Sequence, residues 1–120
     1  MGKYVDGFVI PIAKENVEKY REMAQKAGEL WMEHGALDYY ECVGDDLEVE
    51  NMLSFKTIAG ASDDETVIFA WIVYESREQR DKINEAVMSD PRLKEEMEAS
   101  KNLFDFKRMA YGGFKTLVTI

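Results

Sequence analysis

Val67-Ile68-Phe69-Ala70-Trp71-Ile72-Val73-Tyr74 is an unbroken apolar run of β-branched and aromatic residues, and its reading decides the fold. Such a run marks a buried strand, expected over 65–74. Successive side chains of a strand point to opposite faces, so a strand apolar throughout must be covered on both sides. The helices that the remaining sequence can form suffice for one side. A second copy of the chain is the expected cover for the other.

The neighbouring segments fit the same sheet. Tyr4 to Ile12 reads as a first strand rich in Val, Ile and aromatic residues, with Pro11 near its end. Asn16 to His34 reads as a helix, because Val17, Tyr20, Ala24, Ala27 and Trp31 recur at spacings of three and four. Gly35 is its expected left-handed stop, and Gly28 within it is expected to pack closely against the sheet. Ala36 to Gly44 is a second strand of mixed polarity, which suits an edge. Met52 to Ile58 reads as either a short strand or a lid. Ser76 and Gln79 have the form of a capping box opening a helix to about Met88. Ser89-Asp90-Pro91 breaks that helix, and Pro91 starts a further short one. Arg108 to Ile120 is the final strand, where Gly112-Gly113 implies a bulge or a close backbone approach.

Strand-helix-strand, repeated once without a Pro-, Gly- or Ser-rich linker, is the order of an α+β ferredoxin-like split βαβ sandwich. We expect one domain over residues 1–120, with an antiparallel four-stranded sheet, helices on one face and the first and third strands central. The uncovered face would exceed the apolar patch a soluble monomer tolerates. Two copies closing over each other as a dimeric α+β barrel would cover it.

Composition narrows the function. The 120 residues are 46% hydrophobic and 12% aromatic, which excludes a disordered chain. A net charge of -9 disfavours nucleic acid and anionic membrane surfaces as partners. No apolar stretch approaches the roughly 20 residues of a membrane-spanning helix. Cys42 has no second cysteine to pair with, and no apolar targeting region precedes the first strand, so a cytoplasmic protein is expected.

Several motifs together resemble a known family. They are Tyr4-Val5-Asp6-Gly7-Phe8, Glu33-His34-Gly35-Ala36-Leu37, Glu41-Cys42-Val43-Gly44-Asp45-Asp46, Ser76 with Arg80-Asp81, Asp90-Pro91-Arg92, and Arg108-Met109 with Tyr111-Gly112-Gly113-Phe114. This combination resembles the bacterial family of unknown function DUF1428 along almost the whole chain. The resemblance implies the dimeric α+β barrel superfamily and no established activity. The chain departs from the family pattern at Leu47-Glu48-Val49-Glu50-Asn51, where a Pro-Asp-Gly-like turn is usual, so no role of that loop transfers. More distantly, Trp71 followed by Ser76 and an amphipathic helix resembles antibiotic-biosynthesis monooxygenases. Those often carry a histidine in that helix, and 77–84 has none.

Candidate chemistry is sparse. Neither HExxH nor CxxC spacing occurs, and His34 is the one histidine, so no metal site is expected. At the last turn of its helix, His34 suits the helix dipole or, alternatively, a ligand. Asp6 shares a strand face with Tyr4, Phe8 and Ile10. A carboxylate in a central strand must be hydrogen-bonded, paired or shifted in pKa. Arg108 is its candidate structural partner; the other reading is a polar group in a ligand cavity. Glu41, on an edge strand, is expected to face solvent. Gly112-Gly113 lacks phosphate-loop spacing, and no cofactor is expected.

The sequence thus points to a homodimer that holds a small aromatic or lipophilic molecule between its subunits. If it is an enzyme, a cofactor-independent monooxygenase or isomerase is expected. Asp6 would be the base and Tyr111 or His34 would orient the ligand, with Phe8, Tyr39, Trp71 and Arg108 lining its site. The alternative is a non-catalytic structural or interaction dimer.

Overall fold

In the computed structural model, which describes residues 2–120, β1 (Tyr4–Ala13) leads through a short 3-10 turn into α1 (Val17–Glu33). β2 (Asp38–Val43), α2 (Phe55–Ala59), β3 (Glu65–Tyr74), α3 (Arg77–Met88), α4 (Pro91–Ala99) and β4 (Ala110–Lys115) follow. The sheet is antiparallel in the order β2-β3-β1-β4. The two apolar strands therefore take the centre, as expected of the split βαβ sandwich.

Local chemistry sets the element ends. α1 stops in a Schellman motif, in which Ala36 N–H donates to Trp31 O at 2.9 Å and Gly35 N–H to Met32 O at 3.1 Å. Gly35 takes φ +119° there, a backbone conformation that few residues other than glycine adopt. Ser76 caps α3 by accepting from Gln79 N–H at 3.1 Å. Asp90 caps α4 ahead of Pro91, accepting from Arg92 N–H at 2.9 Å.

Two segments differ from expectation. Met52 to Ile58 forms no strand: Ser54 caps α2, and Gly60 closes it in the left-handed region at φ +68°. Five helical residues are too few for a periodic pattern to register. The final strand begins at Ala110, after a 3-10 turn at Phe106–Arg108, and ends at Lys115. Lys115 is paired with Tyr4, the first residue of β1, so the chain beyond it has almost no neighbour to pair with. Leu117, Val118 and Ile120 are exposed.

α1, α3 and α4 cover one face of the sheet. Beneath them lie Asp6, Phe8, Ile10 and Ile12 of β1 and Ile68, Ala70, Ile72 and Tyr74 of β3. The buried side chains form two clusters on this side, and Phe8 and Met23 touch both. The other face carries Val5, Val9, Phe69, Trp71, Val73, Tyr40, Cys42 and Phe114, with Asp38 at one corner. α2 reaches one end of it, where Phe55 meets Phe69 at 5.7 Å. The rest is open: Tyr40 is 53% and Phe114 62% exposed.

Gly28 marks the tightest helix-sheet approach. A Cβ built there would lie 2.7 Å from the ring of Tyr39. An exposed helical glycine gains about 1 kcal/mol when changed to alanine, whereas overpacking costs about 1–3 kcal/mol. We expect Gly28→Ala to destabilise the fold by about 1 kcal/mol in urea titration. A more stable variant would show that Tyr39 yields without cost.

Candidate functional site

Between the sheet and the three helices lies a cavity of about 400 Å³, within the size range of small-molecule sites. Ile10, Ala70 and Ile72 of the central strands form its floor. Trp31 and Ala27 of α1 and Leu93 of α4 face them. Four methionines, Met23, Met88, Met97 and Met109, also border it. The cavity lies on the helix side of the sheet, away from the open face on which a site between two copies would lie.

The cavity has a polar cluster around Asp6, which is 1% exposed. Asn84 Nδ2 donates to Asp6 Oδ2 at 3.4 Å. Arg80 Nε lies 3.4 Å from Asp6 Oδ1, an ion pair without hydrogen-bond alignment. Asp6 Oδ1 is therefore buried without a hydrogen-bond donor. Asn84 is the hub: its Oδ1 accepts from Tyr74 OH at 2.9 Å and from Trp31 Nε1 at 3.0 Å. With both donors directed at its oxygen, the amide nitrogen is left to face the carboxylate.

Arg80 is held from its other side. Its Nη2 donates to Tyr4 OH at 3.1 Å, and the guanidinium lies 4.9 Å from the Tyr4 ring centroid. Burial works against its charge, but the Tyr4 hydrogen bond and the Asp6 carboxylate raise its pKa further. Gly113 makes the room: a Cβ there would come within 2.4 Å of both Arg80 Nη2 and Tyr4 OH. The strand register runs through Gly112 and Gly113 without a bulge, so close approach is the reason for that glycine. Burial, and then the Asp6 charge, push the Tyr74 hydroxyl up, which keeps it a donor. The same two causes raise Tyr111, whose ring lies 5.0 Å from that of Phe8.

A second polar group borders the cavity on β2. Glu41 accepts from Tyr20 OH at 2.8 Å and from Tyr39 OH at 2.5 Å. The edge position had implied solvent, but α1 lies over this strand and brings Tyr20 onto the carboxylate. Burial raises the Glu41 pKa, against the opposing pull of the two phenols. In the folded chain Glu41 thus keeps its proton at a pH where the unfolded chain, at the ordinary 4.5, has lost it. The folded state then binds more protons, so this contribution is full below 4.5 and is lost as pH rises through the raised value. Chemical denaturation from pH 4 to pH 8 should show that falling component in the parent and lack it in Glu41→Gln. Identical pH slopes in the two proteins would contradict it.

The structure brings Asp6, Phe8, Tyr39 and Tyr111 to the cavity and leaves three other expected residues away from it. His34 sits at the end of α1, with Nε2 3.0 Å from Asp90 Oδ2. Trp71 points to the opposite sheet face, where it stacks on Tyr40 at 4.9 Å. Arg108 pairs with Glu65 at 2.8 Å, so Asp6 has Arg80 as its cation. Arg80 and Asn84, four apart, share the α3 face marked by Ile83 and Val87. That spacing was the available signal for both.

Glu33, His34 and Asp90 bring one ligand atom each within 4.8 Å of the others. Arg92 pairs with both carboxylates there, with Asp90 at 2.7 Å. Its hydrogen bond, and then that of His34, hold the Asp90 carboxyl below the usual range. The cluster is an ion-pair network at the surface.

Comparison with known proteins agrees with this architecture. The sequence profile described as "Protein of unknown function (DUF1428)" matches residues 3–106. The chain belongs to the DUF1428 family. YbaA of Escherichia coli strain K12, an uncharacterized protein, is 45% identical over 116 residues, covering 97% of each chain. Among solved structures, SnoaB, a cofactor-independent oxygenase from Streptomyces nogalater, matches this DUF1428 chain with a TM-score of 0.64 at 11% identity. The match covers 100% of this chain and 98% of SnoaB. A dimeric ferredoxin-like protein from an uncultured marine organism gives 0.64 at 7% identity, covering 100% of each chain. At such identities the likeness establishes the fold alone. Among the described residues no helix is long and apolar enough to cross a membrane.

Proposed function

We propose that the chain forms a homodimer, each subunit of which binds one flat, mainly apolar molecule in its own cavity, with Asp6 as the acceptor that meets it. The observation that carries this reading is the unpartnered Oδ1 of a buried carboxylate bordering an apolar cavity of about 400 Å³. Buried polar atoms are nearly always satisfied, and one that is not calls for a reason such as a functional role or a partner bound from outside the chain. As an enzyme it would begin by proton transfer. The proton of an acidic C–H or O–H group moves to Asp6, and the electron pair stays on the ligand as an enolate or phenolate. The Arg80 charge and the Tyr111 hydroxyl stand near to stabilise that anion. This step is open to an isomerase and to a cofactor-independent oxygenase, the activity named for SnoaB, which shares the fold.

The dimer is supported by the uncovered sheet face. Its centre, from Tyr40 across Trp71 and Gly7 to Gly112, carries no charge in a chain of net charge -9. Charge depletion of that kind marks the core of an interface. A solved protein of this fold is itself described as dimeric.

The binding reading is tested by titrating 2-naphthol into Trp71→Phe protein, in which Trp31 at the cavity is the remaining tryptophan. Saturable quenching is expected, weakened about tenfold by Asp6→Asn, the order of one hydrogen bond to a charged acceptor. No saturable response up to the solubility limit would overturn the reading and favour a non-catalytic dimer.

A further inference from the structure

The cavity is bordered by two carboxylates, and the proposed use of Asp6 leaves Glu41 without a role. Glu41 borders the cavity together with both of its phenol partners, Tyr20 and Tyr39. Each carboxylate oxygen accepts one phenol, which leaves one lone pair on each oxygen free. A cluster made only to fill space would not need a carboxylate there, since burying one is costly.

The strand register fixes how the two acids are arranged. Tyr39, Ile72 and Asp6 form one row across β2, β3 and β1, and Glu41, Ala70 and Phe8 form the next row on the same face. Asp6 and Glu41 are thus two strands and one row apart, with β3 between them. From strand spacing and rise their Cα atoms are about 12 Å apart. The floor between them is Ala70, the smallest side chain in its part of the strand and 3% exposed. Strand side chains stand roughly perpendicular to the sheet, so the two carboxyls keep about the separation of their Cα atoms. A hydrogen bond of about 2.8 Å at each end then leaves roughly 6–8 Å between the polar atoms of a bridging molecule, once the extra methylene of Glu41 is allowed for. That is the span of two fused aromatic rings.

Resting on the cavity reading above, we propose that Glu41 is a second anchor, and that the ligand is a flat two-ring molecule with a hydrogen-bonding group at each end of its long axis. Asp6 takes one end, Glu41 takes the other, and Ala70 and Ile72 carry the apolar body. A one-ended ligand would leave the lone pairs of Glu41 facing hydrocarbon, so the site selects against it.

Four probes separate the possibilities on the Trp31 signal: naphthalene, 2-naphthol, 2,3-dihydroxynaphthalene and 2,6-dihydroxynaphthalene. The 2,6-diol is expected to bind about tenfold tighter than 2-naphthol, and the 2,3-diol, with both hydroxyls at one end, to gain less than threefold. Glu41→Leu should bring the 2,6-diol to within twofold of 2-naphthol. If that variant does not fold, the contrast between the two diols in the parent protein still decides. Equal binding of the diols, or a 2,6-diol preference that survives Glu41→Leu, overturns the second anchor and leaves the cavity reading standing. If none of the four binds, the cavity reading fails, and the second anchor with it.

Discussion

Arg80→Met should cost about 3–5 kcal/mol of stability, the effect of leaving a buried charge without its partner. Asp6 is 1% exposed, and Arg80 is the cation beside it at 3.4 Å. Without the guanidinium, the carboxylate keeps one weak donor, the Asn84 amide at 3.4 Å. Methionine keeps most of the aliphatic stem, so lost packing contributes little. Against a total of about 5–15 kcal/mol for an ordinary domain, the loss is large enough to lower the unfolding midpoint visibly. Adding Asp6→Asn to the same chain should return at least half of the loss, because the double variant no longer buries a charge. Urea denaturation at fixed protomer concentration checks both, since self-association would otherwise shift the midpoint. A cost below about 1 kcal/mol for Arg80→Met would mean that water reaches Asp6, and the site as described would not exist.

Trp71→Glu is expected to convert the proposed dimer to monomer, weakening association at least 100-fold, about 2.7 kcal/mol or more, in the range of interface hot spots. Trp71 lies in the middle of the open sheet face, stacked on Tyr40 and 5.6 Å from Phe69. A glutamate there would meet its own copy, or an apolar neighbour, across the two-fold axis. The helix-side core contains no part of Trp71, so far-ultraviolet circular dichroism should be unchanged. Ligand binding should survive as well, because Trp71 faces away from the cavity. Light scattering at micromolar concentration gives the mass directly. A parent protein that is already monomeric, or a variant with the parent's mass, would remove the dimer while leaving the cavity intact.

The fold could be read from the sequence because its central strands announce themselves twice, by composition and by length. Val67 to Tyr74 could only be a buried strand, and β3 runs from Glu65 to Tyr74 as expected. Ser76 and Pro91 fixed where α3 and α4 begin, since caps act within a few residues of themselves. The site was harder, because which side of a strand a residue faces says nothing about what lies over it. Asp6 stood out as a charge among aromatic residues. Glu41 did not, since an edge strand still has one covered face and only the path of α1 decides which. Trp71 and Phe8 look alike in sequence, and their parity within paired strands sends them to opposite faces. Arg108 was assigned to Asp6 as an antiparallel neighbour, but a 3-10 turn delays β4 and carries that guanidinium to Glu65.

The four thioethers around the cavity have a consequence of their own. Methionine side chains are unbranched and rotate at little cost, so a wall built from them moulds itself to a guest. Recognition here would be strict at the two acids and forgiving along the body, and guests of graded width should differ little in affinity. The same sulfurs are the atoms in the pocket most prone to oxidation, and each sulfoxide would place a polar group where hydrocarbon belongs. A chemistry that brought dioxygen into this space would progressively damage its own container.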